Sequence, residues 1–107
     1  MAIHDDDLDA RLRLSAQRAL SGHVPPSLRA VSLEIRGSVI VFRAVFEPAA
    51  TKDDRNLLSI AATEVIADFP GPATIEEEFL EVALPTKPSH LRNLVFLRAE
   101  AHDANAG

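Results

Sequence analysis

The chain has 107 residues, 47% of them apolar and 25% charged, with 16 acidic against 11 basic side chains and a formal net charge of −5. That size makes one domain with a single core, and the absence of cysteine excludes a disulfide framework, a thiolate nucleophile and a cysteine-based metal site. The acidic balance and an aromatic set of only five phenylalanines argue against nucleic acid and an anionic membrane as partners, while a basic protein surface would be attracted.

The N-terminal stretch MAIHDDDLDARLRL is acidic where a signal peptide needs a basic start and an apolar run. No segment reaches the roughly 18 apolar residues of a membrane span, so a cytoplasmic location is expected. Residues 5–21 then read as a first helix. Asp5, Asp6 and Asp7 supply a cap and negative charge at the positive end of its dipole, and Leu8, Leu12, Ala16, Ala19 and Leu20 form one apolar stripe. Arg11, Arg13 and Arg18 lie off that stripe, free to pair with the aspartates or meet water. Gly22 and Val24-Pro25-Pro26 stop the helix.

Residues 28–36 and 39–46 form a hairpin. Val31, Leu33 and Ile35 alternate with Ser32, Glu34 and Arg36, and Gly37-Ser38 suits a type II′ turn. The second run, VIVFRAVF, is apolar on both faces except at Arg43, which predicts a central strand. Residues 51–68 form a second helix, capped at Thr51 with Asp53 and Asp54 in its first turn. Its apolar face of Leu57, Leu58, Ala61, Ala62, Val65 and Ile66 makes it the main cover of the sheet. Phe69 packs down and Pro70-Gly71-Pro72 ends the segment.

Residues 73–84 and 91–100 are read as a second strand pair joined by a long loop through Pro85 and Pro88. The first of these strands has a conflict of faces. Ile75 and Phe79 share a side with Glu77 and Glu81, and a bulge near Phe79 would relieve it. The run NLVFLR is continuous enough to be buried on both faces. The tail, 101–107, is expected to fray. The predicted architecture is α+β: a two-layer sandwich in the order α-β-β-α-β-β, with a four-stranded, mainly antiparallel sheet, two helices on one face and the other face open to a partner.

No cofactor or metal site is expected. His4, His23, His90 and His102 fall on termini and loops without ligand spacing, and no nucleophile elbow, phosphate loop, dinucleotide fingerprint or calcium loop is present. Arg43 reads as a paired or snorkelling side chain. Glu76, Glu77, Glu78 and Glu81 are the one charged constellation. They are a solvated strand start, a surface for a basic partner, or an acid–base pair, and the last reading lacks a pocket and sugar-binding aromatics.

Three stretches carry a family resemblance: G-H-x-P-P-x-L-R-A-V-S at residues 22–32, T-E-V-I-A-D-F-P at 63–70 with an E-E-x-F segment ending on Phe79, and a closing L-V-F-L-R at 94–98. Through them the chain resembles immunity proteins of bacterial contact-dependent growth inhibition and related polymorphic toxin systems. The resemblance implies a non-catalytic inhibitor that binds a cognate toxin domain, often a basic nuclease, over an interface of roughly 1,600 Å². Its implied toxin-facing residues are Glu64, Asp68, Glu76, Glu77, Glu78 and Glu81. If the shared motif is scaffold, the first helix or the Asp53-Asp54 end of the second carries the contact instead. Two other readings stand beside this one: a self-associating adaptor or homodimer built on the open sheet face, and a small enzyme using the Glu76–Glu81 carboxylates.

Overall fold

The computed structural model describes residues 5–69, 71 and 73–100, with side chains from Asp7 onward. The expected side-chain cap at Asp5 and Asp6, the histidines at 4 and 102, the prolines at 70 and 72 and the tail lie outside the described residues. The elements are α1 (Asp5–Leu20), β1 (Leu28–Arg36), β2 (Val39–Phe46), α2 (Lys52–Ala67), β3 (Thr74–Glu81) and β4 (Asn93–Leu97). This is the predicted α-β-β-α-β-β order. The sheet runs β3-β2-β1-β4, antiparallel at β1–β2 and β1–β4 and parallel at β2–β3.

Local chemistry sets the boundaries. α1 stops where Gly22 takes φ +81°, and the His23 imidazole Nδ1 donates to the Ala19 carbonyl at 2.7 Å, satisfying one orphan acceptor of the last turn. Gly37 takes φ +61° while Ser38 stays at negative φ, the pattern of the II′ turn expected between Arg36 and Val39. At α2 the Thr51 hydroxyl accepts from the Asp54 amide and the Asp54 carboxylate accepts from the Thr51 amide, both at 3.1 Å. Aspartate therefore closes the capping box in place of the usual longer residue.

Both helices lie on one face. Leu12 and Ala16 of α1 and Leu58, Ala61 and Val65 of α2 join Val31, Leu33, Ile40, Phe42, Ala44 and Phe46 in one buried cluster. α1 covers β1 and β4, and α2 covers β2 and β3, so the two share the cover of the sheet for which the second was expected to be the main part. Each fully buried large aliphatic side chain contributes about 1.5–3 kcal/mol before conformational entropy is set against it.

The topology corrects three expectations. β3 and β4 do not pair: α2 is a crossover that returns the chain to the starting end of β2, so β3 aligns parallel on the free edge of β2, and β4 takes the free edge of β1. β4 is thus a five-residue edge strand, and NLVFL is not buried on both faces. Nor is there a bulge at Phe79, since β3 pairs in unbroken register from Thr74 to Glu81. The irregularities fall instead at Arg29 in β1 and where β4 meets Val31 and Ser32.

The face opposite the helices is not open either. Because β3 and β4 sit at opposite edges, their connection has to cross the sheet, and it crosses that face. The Ser32 hydroxyl accepts from the Leu91 amide at 2.8 Å, and Arg43 reaches the Ser89 carbonyl and hydroxyl at 3.3 Å. Val41, Val45, Ala30 and Leu91 are buried there as a second, thinner layer.

Candidate partner-binding surface

The four β3 glutamates diverge with the pleat. Glu77 and Glu81 share the helix side with Ile75 and Phe79, which reach the core. The conflict of faces read from the sequence is relieved by α2. The Ser59 hydroxyl donates to Glu77 at 2.8 Å, and the Arg55 guanidinium pairs with Glu81 while resting 5.7 Å from the Phe46 ring. Glu76 and Glu78 point to the other side, where Glu78 accepts from Arg43 Nε at 2.9 Å, so Arg43 is a paired side chain as its position in the strand suggested. Glu76 makes no ion pair or hydrogen bond among the described residues.

The two acids on α2 face elsewhere. Asp68, at the C-terminal cap, accepts the buried Ser15 hydroxyl at 2.6 Å and lies 3.4 Å from Arg18, which ties α2 to α1. The Ser15 bond first, then Arg18, holds the Asp68 carboxyl below the usual range. Glu64 is exposed, 3.8 Å from His23 Nε2. The six candidate acids therefore divide by their partners into an α1–α2 link, an α2–β3 link and an outward pair on β3. They do not converge on one pocket, and successive β3 carboxylates point to opposite faces, an arrangement unsuited to paired acid–base chemistry.

Two polar clusters that the sequence reading passed over hold the surface together. Arg29 is 1% exposed. The β1 bulge turns it toward the crossing loop, where it donates to the Val82 and Thr86 carbonyls at 2.7 and 2.9 Å and to both Glu100 oxygens at 2.6 and 2.9 Å. Glu100 is held below the usual carboxylate range by the Arg29 hydrogen bonds above all. Asn93, buried on the helix side, donates to Asp9 at 3.0 Å and accepts from Arg13 at 2.8 Å, clasping α1 to β4. Asp9 also accepts from Arg92 at 2.7 Å, and the Asn93 bond is the larger cause of its lowered pKa. The signal for Arg29 was present in the sequence: Leu28 is out of phase with Val31 and Leu33, as a bulge between them requires. Asn93 gave none beyond being polar in an apolar run.

The residues carrying the family resemblance are largely these scaffold parts: the Gly22–His23 stop, the Arg29 bulge, Ser32 under Leu91, Val65 in the core and Asp68 on Ser15. The family model of the MafI2 immunity protein matches residues 9–100 of the 107. The chain belongs to the MafI2 immunity protein family. No curated protein matches it. The matched span runs from the Asp9 clasp to the Glu100 anchor and so contains every contact described above. In a MafI2 immunity protein the functional surface is one that meets a protein, the toxin of a polymorphic toxin system, and no helix among the described residues is long and apolar enough to cross a membrane.

Proposed function

We propose that this MafI2-family chain acts in the cytoplasm as a non-catalytic inhibitor, binding the C-terminal toxin domain delivered by contact-dependent growth inhibition and masking its working surface. The observation that carries the reading is the family match over residues 9–100. The net charge of −5 supports a basic toxin, and a nuclease is one chemical kind that fits, because complementary charge speeds encounter and excludes wrong partners. Within that reading Glu64, Asp68, Glu76, Glu77, Glu78 and Glu81 are the proposed partner-facing charges. Glu76 is the most available, since the others already have polar neighbours in their own chain.

Self-association through an open sheet face is the weaker alternative, because the crossing loop occupies that face. The test is co-expression with the C-terminal domain of any large exported protein encoded just upstream, followed by affinity capture. Stoichiometric recovery and rescue of growth are expected. Two soluble, folded proteins that fail to co-purify would sink the pairing.

A further inference from the structure

The two edges of the sheet are built differently. β3 carries Glu76, Glu77, Glu78 and Glu81, and charge along an edge strand discourages pairing with another chain. β4 carries no charge and no proline, although its pairing with β1 is irregular at Val95, and among the described residues no strand lies beyond it. Leu94 and Leu97 pair with Ser32 and Ala30, so they share the face away from the helices, where they are 41% and 59% exposed. Outward backbone amides and carbonyls beside exposed leucines are a template for a further strand. Next to Leu97 a cleft of about 420 Å³ opens between the crossing loop and the chain after β4, lined by Lys87, His90 and Arg98 and also by Glu100, whose carboxylate is taken up by Arg29 and Arg98. Lys87 has no ion pair among the described residues.

A second copy fits this edge poorly. Two β4 strands related by a two-fold axis pair antiparallel, and the register centred on Val95 sets Arg92 opposite Arg98 twice, cations whose charges are only partly met by Asp9, Glu47 and Glu100, with Lys87 nearby. Like charges directly opposite destabilise a sheet. A strand with alternate apolar residues and a carboxylate at its end meets the same groups favourably.

We propose that β4 is the edge to which the toxin adds a strand, with apolar side chains over Leu94 and Leu97 and a carboxylate entering the cleft at Lys87. The inference rests on the immunity reading above and names the contact within it. β3 and β4 are three strand spacings apart, about 15 Å, so one partner of ordinary interface size reaches both β4 and outward-facing Glu76.

The experiment uses the full chain and the co-expressed toxin domain. Leu94→Glu with Leu97→Glu places charge on an exposed edge, so the melting temperature should hold while affinity falls by about 30-fold or more. In the wild-type complex, β4 amides pointing away from β1 should exchange with solvent roughly tenfold or more slowly than in the free protein. Unchanged affinity in the double variant overturns the proposal. So does weakened affinity without slowed amides, which means side-chain contact without strand addition. A free dimer that the double variant splits while toxin binding persists assigns the edge to a second copy and overturns it too. If the wild-type proteins form no complex at all, the immunity pairing fails first and the strand proposal falls with it.

Discussion

Arg29 shows how much one side chain can settle. It is the anchor for the crossing loop and for the chain after β4, and four hydrogen bonds from its guanidinium meet two carbonyls and one carboxylate. Truncation leaves the two carbonyls without their donor and Glu100 with Arg98 as its remaining partner. Arg29→Ala is therefore expected to cost roughly 3–5 kcal/mol in a urea titration, the range for breaking a buried ion pair from one side. Acid should act on the same bonds. Glu100 and Asp9 have folded-state pKa values below their ordinary 4.5 and 3.8. The folded state thus binds fewer protons than the unfolded one. The stability these groups contribute is complete above the unfolded values and is lost as pH falls through the lowered ones. The urea midpoint should be flat down to about pH 5 and fall below it, and Glu100→Gln should flatten that fall. A midpoint that rises on acidification would contradict the sign.

At the scale of elements, α1 and β4 depend on one another. Asn93 joins them by donating to Asp9 and accepting from Arg13. Asn93→Ala leaves both partners short, and about 1–3 kcal/mol of stability should be lost, read by denaturant unfolding, with Asp9→Asn giving a non-additive double variant. The elements themselves were legible from period and punctuation: the Leu12–Ala16 stripe, the Gly37-Ser38 turn and the Thr51 cap all formed as their chemistry required. Pairing was less legible. Strands adjacent in sequence are neighbours more often than not, which favoured β3 against β4, whereas α2 between β2 and β3 was the sign of a parallel crossover. The Glu77 and Glu81 positions looked like a register fault because the side chains that satisfy them, Ser59 and Arg55, come from another element. A local pattern holds no record of them.

Across the whole molecule, charges without an ion pair among the described residues fall at both edges of the sheet, Glu76 at β3 and Lys87 near β4. β3 presents glutamates at one edge, while Lys87, Arg92 and Arg98 lie around β4 at the other, the two arginines paired with Asp9, Glu47 and Glu100. The net charge was visible in the sequence, but the separation was not, because it depends on the two last strands going to opposite edges. If the toxin is basic, as proposed, Glu76, exposed and without an ion pair among the described residues, should act on it at long range. Glu76→Lys is expected to slow association several-fold at low salt, leave dissociation nearly unchanged, and lose its effect in high salt. Stopped-flow mixing at two ionic strengths separates that outcome from a lost direct contact, which would quicken dissociation instead.

The sheet order also imposes a timetable on synthesis. β1 finds β2 within a few residues, but its other edge waits for β4, whose Asn93 pairs with Leu33 about 60 residues earlier in the chain. A ribosome adding roughly 5–20 residues per second leaves that edge uncovered for about 3–12 s. Through that interval a nascent chain offers an apolar seam that chaperones can hold or a neighbouring chain can capture. On the proposed function, the chain becomes able to meet its toxin only when the last strand has left the ribosome and docked.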